Sequence, residues 1–269
     1  MLDALSTEAL APEPAEPILE TRGLTVAAGR RTLLRSIGLR IEPGRVLGIL
    51  GASGVGKTTL LRCLNRLTDL TPQLAVSGEV LLHGRPIHGR DVDADALRAR
   101  IGMLFQQPVV FPGSIADNVM FGVRHTGRLP RRAWPERIER ALREAALWEE
   151  VRHRLREPAA SLSAGQQQRL CLARTLAGEP EVLLLDEPTS ALDAGSTAAI
   201  EELILRLRER HAIVLVTHGL RQARRVADSL VYLAPRDGAG EVVESGPCQD
   251  LFTRPRSPEL ARYLSREPA

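Results

Sequence analysis

The sequence predicts an α/β fold with a mostly parallel central sheet, an N-terminal antiparallel β subdomain and an inserted helical subdomain. After residue 180, apolar runs with the length of buried strands alternate with helical stretches, which indicates a parallel sheet covered on both faces. Short apolar stretches between turn signals in residues 18–41 indicate antiparallel strands. Residues 108–162 show helical periodicity without a strand signal, which indicates an insertion made of helices.

The segment 46–61, VLGILGASGVGKTTLL, links a predicted buried strand to a helix. Its residues from Gly51 to Thr58 fit the pattern G-x-x-x-x-G-K-[ST], whose backbone N–H groups and helix N-terminus bind phosphate. We expect Lys57 to reach the β and γ phosphates and the Thr58 hydroxyl to ligate Mg²⁺. Lys57 is the only lysine among 36 basic residues, and a guanidinium would be too large for such a loop. A glycine-rich turn that merely begins a helix is the weaker interpretation.

The remaining elements follow from local composition. A helix is expected after the loop at about 57–67, and a short helix at 95–100. Strands are predicted, in order, at 78–83, 101–105, 182–185, 212–216, 230–233 and 241–243. The later helices are predicted at about 164–177, 196–210 and 220–227. Because ligands bind at the carboxyl ends of parallel strands, polar residues at those ends are candidate site residues.

Composition and charge exclude several classes of protein. The 269 residues carry a net charge of only +3 and few aromatic side chains that could stack on bases, so we expect no nucleic-acid partner. The three cysteines, Cys63, Cys171 and Cys248, lack metal-ligand spacing and are expected to be buried thiols. The chain has no run of about eighteen apolar residues and no signal pattern, which predicts a soluble cytoplasmic protein.

The ends of three predicted strands carry candidate catalytic groups. Asp186 and Glu187 come after the run VLLL, where one carboxylate can support Mg²⁺ and the other can activate water. His218 follows AIVLVT and can donate a hydrogen bond to a γ-phosphate, whereas Gln106, after IGMLF, can contact Mg²⁺ and water. Alone, such residues are more often caps or loop residues, but the phosphate loop upstream favours the functional interpretation.

A second candidate phosphate site begins the helix predicted at 164–177. In LSAGQQQRLCLAR, residues 162–174, Ser163 and Gly165 place a hydroxyl and free backbone N–H groups at the positive end of an amphipathic helix. If this end lies on the helical insertion, one chain cannot easily bring it to its own phosphate loop. A head-to-tail dimer can, which predicts a site shared between two copies.

The order of these motifs resembles the ATPase subunit of ABC transporters. The match comprises GASGVGKT, Gln106, LSAGQQQR, LLLDEPTSALD and His218, and it spans about residues 18–252. The resemblance implies an ATP sandwich between two copies, in which Ser163 and Gly165 of one copy face the γ-phosphate held by the other. It also implies that Asp193 links the two sites across the dimer.

The resemblance also implies ATP and Mg²⁺ as cofactors and assigns residues to them. The nucleotide-binding residues are then Gly51, Ala52, Ser53, Gly54, Val55, Gly56, Lys57, Thr58, Thr59, Ser163, Gly165 and Gln166. The residues at Mg²⁺ are Thr58, Gln106 and Asp186. The catalytic residues are Glu187, His218, Lys57 and Gln106.

The predicted domain organisation is a single ATPase domain between two tails. Residues 1–16 carry four acids and no bases, which predicts a disordered tail. The resemblance implies an ABC ATPase domain at 17–255, with its helical subdomain at about 108–165. The residues after Phe252 match the family poorly, and residues 256–269 are expected to form a C-terminal tail.

Several segments look like the ATP-binding subunit of bacterial phosphate importers of the Pst type, namely LNRLTDL, IGMLFQQP, FPGSIADNVMFGVR, AALWEEV and QQQRLCLAR. This resemblance implies a peripheral protein on the cytoplasmic face of the inner membrane. It would contact integral permease subunits and, through them, a substrate-binding protein. The alternatives are an importer for an amino acid or another oxyanion, a non-transport ABC ATPase, and a nucleotide-gated module that does not hydrolyse ATP.

Three positions depart from the family's pattern. Ala164 stands where glycine is usual in the signature, and Gly219 follows His218 where asparagine is common. Ala28, before Gly29, stands where an aromatic residue usually stacks on adenine. We therefore expect weaker or differently arranged adenine contacts.

Overall fold

The computed structural model describes residues 16–265 except 90, 127–128 and 191. These residues form one ten-stranded mixed sheet with helices on both faces, which confirms the predicted α/β class. The strands are β1 (Leu19–Ala28), β2 (Arg31–Ile41), β3 (Val46–Gly51), β4 (Leu74–Leu82), β5 (Arg85–Pro86), β6 (Ile101–Leu104), β7 (Val182–Asp186), β8 (Ala212–Val216), β9 (Ser229–Arg236) and β10 (Ala239–Pro247). Their order in the sheet is β5-β4-β1-β2-β10-β9-β3-β8-β7-β6. The tail predicted at 1–16 lies outside the described residues, apart from residue 16.

Five neighbouring strands form the parallel part of the sheet, in the order β9-β3-β8-β7-β6. Strands β3, β7 and β8 are buried along their whole length, because helices cover both faces of the sheet. Their sequences are therefore almost continuous runs of apolar residues rather than alternating patterns. Candidate site residues follow the carboxyl ends of these strands.

The antiparallel strands are continuous with the parallel ones. Strands β1 and β2 pair antiparallel, as predicted, and β4 pairs antiparallel with β1. Strand β10 joins them to the rest by pairing in parallel with β2 at Gly240 and Leu34. The strand predicted at 241–243 departs from expectation, because β10 runs antiparallel to β9 instead of extending the parallel sheet. Only Asp237 and Gly238 separate β9 from β10, and a connection this short makes a hairpin.

The helices within the described residues cover the sheet and build the insertion. They are α1 (Lys57–Leu64), α2 (Ala94–Arg100), α3 (Ile115–Val119), α4 (Phe121–Thr126), α5 (Trp134–Glu144), α6 (Trp148–Val151), α7 (Ala164–Leu176), α8 (Ala194–Leu207), α9 (Leu220–Val226), α10 (Cys248–Thr253) and α11 (Pro258–Leu264). Helix α1 is shorter than predicted. It ends at Leu64 because Arg66 takes the left-handed conformation, with φ of 59°, and begins a 3-10 turn at Leu67–Leu70.

The insertion consists of α3 to α6, and its apolar stripe packs into the interior. Ile138 and Leu142 of α5, and Ala145 just after it, are buried in one cluster with α7. Burying a side chain of the size of Leu contributes about 1.5–3 kcal/mol. Arg137, on the same helix, donates to the Ala177 carbonyl oxygen at 2.8 Å. The stripe is therefore part of the core.

Helices α10 and α11 follow the last strand. Leu260 of α11 is fully buried, and the ring of Tyr263 lies 5.2 Å from that of Tyr232 on β9. The segment predicted as a C-terminal tail thus contains a helix that packs on the sheet. In the part of the chain that the structure describes, no helix is both long and apolar enough to cross a membrane.

The three cysteines are buried and form no disulfide, as expected. Burial raises the pKa of Cys63 to about 12 and that of Cys248 to about 11. Thiols held so far from the thiolate form have low reactivity. They therefore belong to the core rather than to a functional site.

Candidate functional site

The loop between β3 and α1 requires glycine at two positions. Gly51 has a φ of 153°, and a Cβ there would collide with the carbonyl oxygen of Leu233. Gly56 has a φ of 105°, and its Cβ would lie 2.7 Å from Cδ2 of Leu34. The loop is therefore packed closely between β9 and β2. Residues 52–54 are exposed, so the outer side of the loop is open to a ligand.

Lys57 holds its ammonium group against this loop. The residue is only 6 % exposed, and Nζ donates to the carbonyl oxygens of Gly51 at 2.8 Å and Ala52 at 3.1 Å. Burial lowers the pKa of Lys57, while the carboxylates of Glu187 and Asp186 oppose that shift. A compact positive charge thus lies where an anionic ligand of the loop would bind.

Thr58 and Asp186 bring two oxygen ligands together. Thr58 Oγ1 donates to Asp186 Oδ1 at 3.1 Å, which links α1 to the end of β7. Burial raises the pKa of Asp186, and the hydrogen bond from Thr58 opposes this. Among the described residues, no group of three or more His, Cys, Asp or Glu side chains could hold a metal ion by itself. This donor set suits Mg²⁺, which usually takes one or two protein oxygens and completes its shell with phosphate and water.

Glu187 has two polar side chains beside one of its oxygens. Gln106 Nε2 donates to Oε2 of Glu187 at 3.0 Å, and Nδ1 of His218 lies 3.2 Å from the same atom. Glu187 has a φ of 46°, and its N–H donates to the carbonyl oxygen of Val216 at 2.9 Å. Left-handed backbone costs a non-glycine residue about 1–2 kcal/mol, and such strain concentrates at functional sites. Residues that follow β6, β7 and β8 therefore meet at one carboxylate.

Ser163 and Gln166 begin α7 with a reciprocal cap. The Ser163 hydroxyl accepts from the N–H of Gln166, and Oε1 of Gln166 accepts from the N–H of Ser163 at 3.0 Å. Gln166 also donates to Glu150 of α6 at 2.8 Å. Within the described chain, no hydrogen bond or ion pair joins Ser163 or Gln166 to residues 51–59.

Gly165 and Asp193 lie at two helix N-termini that touch. A Cβ on Gly165 would lie 2.8 Å from Oγ of Ser196 on α8. Asp193 caps α8, since its carboxylate accepts from the Ser196 N–H at 3.0 Å and from the Ser196 hydroxyl at 2.7 Å. These hydrogen bonds lower the pKa of Asp193. The starts of α7 and α8 are thus in close contact through Gly165 and Ser196.

The sequence-predicted residues fall into two groups in space. The phosphate loop, Asp186, Glu187, Gln106 and His218 are brought together, whereas the residues that begin α7 take part in none of these contacts. Val55 of the loop is buried in the core, so only its backbone can face a ligand, and Thr59 is half-buried on α1.

A buried polar cluster around Asn118 of α3 was not predicted from the sequence. Asn118 is 1 % exposed; its Oδ1 accepts from the Phe111 N–H and from Arg174, both at 2.9 Å. Its amide donates to the carbonyl oxygens of Phe111 and Ser114, each at 3.0 Å. The Arg174 guanidinium also lies 4.3 Å from the centre of the Phe111 ring. This cluster ties the segment that follows Gln106 to the insertion and to α7.

Comparison with known proteins agrees with this geometry. Residues 34–190 match the protein family described as ABC transporter. The chain belongs to the ABC transporter family. Among curated relatives of this ABC ATPase, the phosphate import ATP-binding protein PstB of Shewanella denitrificans is 47 % identical over 247 residues, covering 92 % of this chain and 89 % of the relative. The PstB protein of Idiomarina loihiensis is 46 % identical over 253 residues, covering 94 % and 92 %.

Solved structures of ABC proteins share the fold. The structure of cbiO1 from Clostridium perfringens, part of the ABC transporter complex cbiONQ, is 28 % identical with a TM-score of 0.76, covering 93 % of this chain and 99 % of that chain. A bacterial Atm1-family ABC exporter with ATP bound is 25 % identical with a TM-score of 0.77, covering 96 % of this chain and 44 % of that chain. The sheet and insertion of this ABC ATPase are thus those of its family.

Proposed function

We propose that this ABC ATPase binds and hydrolyses Mg-ATP as a head-to-tail dimer and thereby energises inorganic phosphate import through a membrane permease. The observation that carries the hydrolytic role is the meeting of Gln106 and His218 at one oxygen of Glu187, at the ends of strands beside the phosphate loop. The relatives named for phosphate import, at 46–47 % identity over nearly the whole chain, support the transported substrate.

The phosphate loop binds the triphosphate in this proposal. Backbone N–H groups of residues 51–58 and the N-terminus of α1 bind phosphate oxygens. The Lys57 ammonium leaves the carbonyl oxygens of Gly51 and Ala52 and contacts the β and γ phosphates, because a phosphate oxygen is the stronger partner for its charge. Thr59 contributes from the first turn of α1.

Thr58, Asp186 and Gln106 are the residues that would hold Mg²⁺. The contact of 3.1 Å between the Thr58 hydroxyl and Asp186 places a neutral and an anionic oxygen at one point. The ion supplies charge that neutralises the phosphate oxygens during transfer. Asp186 is buried and has a short side chain, so its carboxylate loses little conformational freedom when it binds the ion.

Hydrolysis needs a proton acceptor for water, and Glu187 takes that role. Water attacks the γ-phosphorus, its proton passes to Glu187, and the bond from the γ-phosphorus to the ADP oxygen breaks. His218 donates a hydrogen bond to the γ-phosphate, and Gln106 orients the water. Most of the rate gain comes from positioning and charge stabilisation.

The second half of the site comes from a second copy of the chain. Ser163, Gly165 and Gln166 begin α7, where the helix N-terminus favours an anion. In a head-to-tail dimer this end would face the γ-phosphate held by the other copy, and Asp193 would link the two sites. Gln106 would transmit the state of the site to the helical insertion, because the insertion follows it directly in the chain.

The proposed location is the cytoplasmic face of the inner membrane, as a peripheral subunit. The insertion would contact integral permease subunits, and a substrate-binding protein would act through them. We expect no nucleic-acid partner, because the charge is spread along the chain and the net charge is only +3.

The test is uptake of labelled phosphate at low external concentration, in cells that lack other phosphate transporters. We expect the parent chain to support uptake, Lys57→Ala to abolish it, and the exposed control Arg40→Ala to leave it unchanged. Equal uptake by the parent and by Lys57→Ala would contradict the proposal. If the parent hydrolyses ATP but supports no phosphate uptake, the chain is instead assigned to an importer of another oxyanion or of an amino acid.

A further inference from the structure

The loop that carries Gln106 has little backbone support of its own. Strand β6 ends at Leu104, and the next helix, α3, begins at Ile115. Among the described residues, no backbone–backbone hydrogen bond joins residues 106–110 to another segment. The Gln106 amide nevertheless lies 3.0 Å from Oε2 of Glu187, as the proposed reaction requires. Contacts from side chains must therefore hold this loop in place.

Helix α7 holds the loop on both sides of Gln106. Nε2 of Gln168 donates to the carbonyl oxygen of Phe105 at 3.2 Å, and Sγ of Cys171 donates to that of Val109 at 3.5 Å. Gln168 and Cys171 are three residues apart, so they share one face of the helix. The Phe105 carbonyl group lies in the same planar peptide unit as the N–H of Gln106. The Gln168 contact therefore fixes the backbone from which the Gln106 side chain extends.

Stability does not explain a glutamine at position 168. Gln168 is 1 % exposed and lies among the buried, mostly apolar residues of α7. Its Oε1 is also buried and has no hydrogen-bond partner among the described residues. The amide cannot be reversed, because Oε1 would then face the Phe105 carbonyl oxygen and two acceptors would meet. A buried acceptor without a partner destabilises a fold, whereas an unbranched apolar side chain avoids that loss. What the glutamine adds is the hydrogen bond to the loop.

We propose, on the basis of the proposed ATPase function, that Gln168 is a positioning residue for hydrolysis. It holds the Phe105 carbonyl group and thereby keeps the Gln106 amide at the Glu187 carboxylate and the attacking water. Its effect is transmitted through Gln106, since its own amide contacts the backbone one residue before that side chain. Because the reaction depends on orientation, a small displacement of Gln106 lowers the rate rather than the affinity for the nucleotide.

The experiment measures ATP hydrolysis and unfolding of the full-length Gln168→Met variant. Methionine keeps the length of the side chain and lacks both polar atoms. We expect kcat to fall about 10- to 100-fold, the range of a misplaced catalytic group, with KM for ATP within about twofold of the parent. The free energy of unfolding in urea should stay equal or increase, because the buried unpaired Oε1 is gone. A residue with a merely structural role would lose stability instead.

Thr175→Val is the matched control. It removes another polar contact between α7 and β6, from the Thr175 hydroxyl to the Met103 carbonyl oxygen at 3.5 Å, which lies within the strand and not in the loop. This variant should keep the parental kcat. Hydrogen exchange without nucleotide gives a readout that does not depend on activity. In Gln168→Met, residues 105–109 should exchange faster, while residues 182–186 of the neighbouring strand should stay unchanged.

A double-mutant cycle with Gln106→Ala tests whether Gln168 acts through Gln106. Residues of one network have non-additive effects. Once the Gln106 amide is gone, we expect Gln168→Met to change kcat less than about twofold. A full further loss of rate in the double variant would show that Gln168 acts by another route, which would overturn the proposal.

The outcomes separate this proposal from the proposed function. If the parent hydrolyses ATP and Gln168→Met keeps the parental kcat, the positioning role is overturned and the ATPase function stands. A lower kcat that comes with lower stability and with faster exchange in both segments also overturns it, because that result indicates general destabilisation. If the parent hydrolyses no ATP, the ATPase function fails and this proposal fails with it.

Discussion

Gln106 donates a hydrogen bond of 3.0 Å to Oε2 of Glu187, from the end of one parallel strand to the end of its neighbour. Such a contact depends on the sheet, because only strand pairing brings residues 81 positions apart into register. This hydrogen bond helps to hold the Glu187 carboxylate at the carboxyl ends of the strands.

Glu187→Gln should lower turnover by a factor of about 10² to 10⁴, because the amide keeps the size of the side chain but accepts no proton. ATP binding should stay close to that of the parent. Phosphate release and equilibrium dialysis measure the two properties separately. Glu202→Gln, on the surface of α8, is the control for a lost carboxylate. Turnover near the parental rate would show that Glu187 is not the base.

Lys57→Arg should weaken ATP binding at least about tenfold, although it preserves the charge. The position is only 6 % exposed and is bounded by the carbonyl oxygens of Gly51 and Ala52, so the larger guanidinium does not fit. ATP affinity is the measurement. The reverse exchange Arg62→Lys, on the exposed side of the same helix, should have little effect. Equal affinities in parent and Lys57→Arg would show that the site needs charge alone.

Gly56→Ala should destabilise the protein more than Gly54→Ala. Both positions have positive φ, 105° and 77°, which costs alanine about 1–2 kcal/mol. A Cβ at Gly56 would also lie 2.7 Å from Leu34, whereas one at Gly54 meets nothing within 4 Å. The extra crowding adds about 1–3 kcal/mol to the loss in Gly56→Ala. Urea denaturation measures the free energy of unfolding of both variants. Equal losses of stability would mean that backbone strain alone causes them.

Glu181→Gln should destabilise the protein at neutral pH and not in acid. The hydrogen bond from Arg100 lowers the pKa of Glu181, and His83 acts in the same direction. The folded-state pKa therefore lies below the unfolded value of about 4.3, so the carboxylate stabilises the fold above that pH. This contribution is lost as pH falls through the lower, folded-state pKa. Denaturation midpoints of parent and variant should differ at pH 7 and converge toward about pH 3. A constant difference would contradict the assignment.

Asn118→Leu should loosen the insertion. The substitution keeps the branching at Cγ but leaves the Phe111 N–H and the Arg174 guanidinium without their acceptor, which costs about 1–3 kcal/mol. Hydrogen exchange should quicken at residues 111–126 and stay unchanged at residues 46–61, which serve as the internal control. Uniform acceleration in both segments would indicate global destabilisation instead.

Much of the fold was predictable because the pattern of apolar residues along the sequence agrees with the burial of those residues in the structure. Strands β3, β7 and β8 are buried on both faces, so their apolar runs report their position directly. The direction of β10 was not predictable from its composition, since a half-exposed strand has the same sequence pattern in either orientation. The early end of α1 depends on the left-handed Arg66, which no residue preference indicated.

The candidate site was predictable where its residues follow strands, and not where contacts join distant elements. Gln106, Glu187 and His218 all follow strands, and the carboxyl ends of parallel strands were the predicted place for site residues. The Asn118 cluster joins a short helix of the insertion to Arg174, and nothing in its local sequence signals a partner 56 residues away. Its only signal was the pair Asp117 and Asn118 within the otherwise apolar run IADNVMF.

The contact between Gly165 and Ser196 has a consequence for the proposed head-to-tail dimer. A Cβ at Gly165 would lie 2.8 Å from Oγ of Ser196, so a larger residue there would require the serine side chain to move. The starts of α7 and α8 therefore lie side by side, and Asp193 caps the second of them. In the proposed dimer, a partner surface that contacts the start of α7 would also lie next to Asp193.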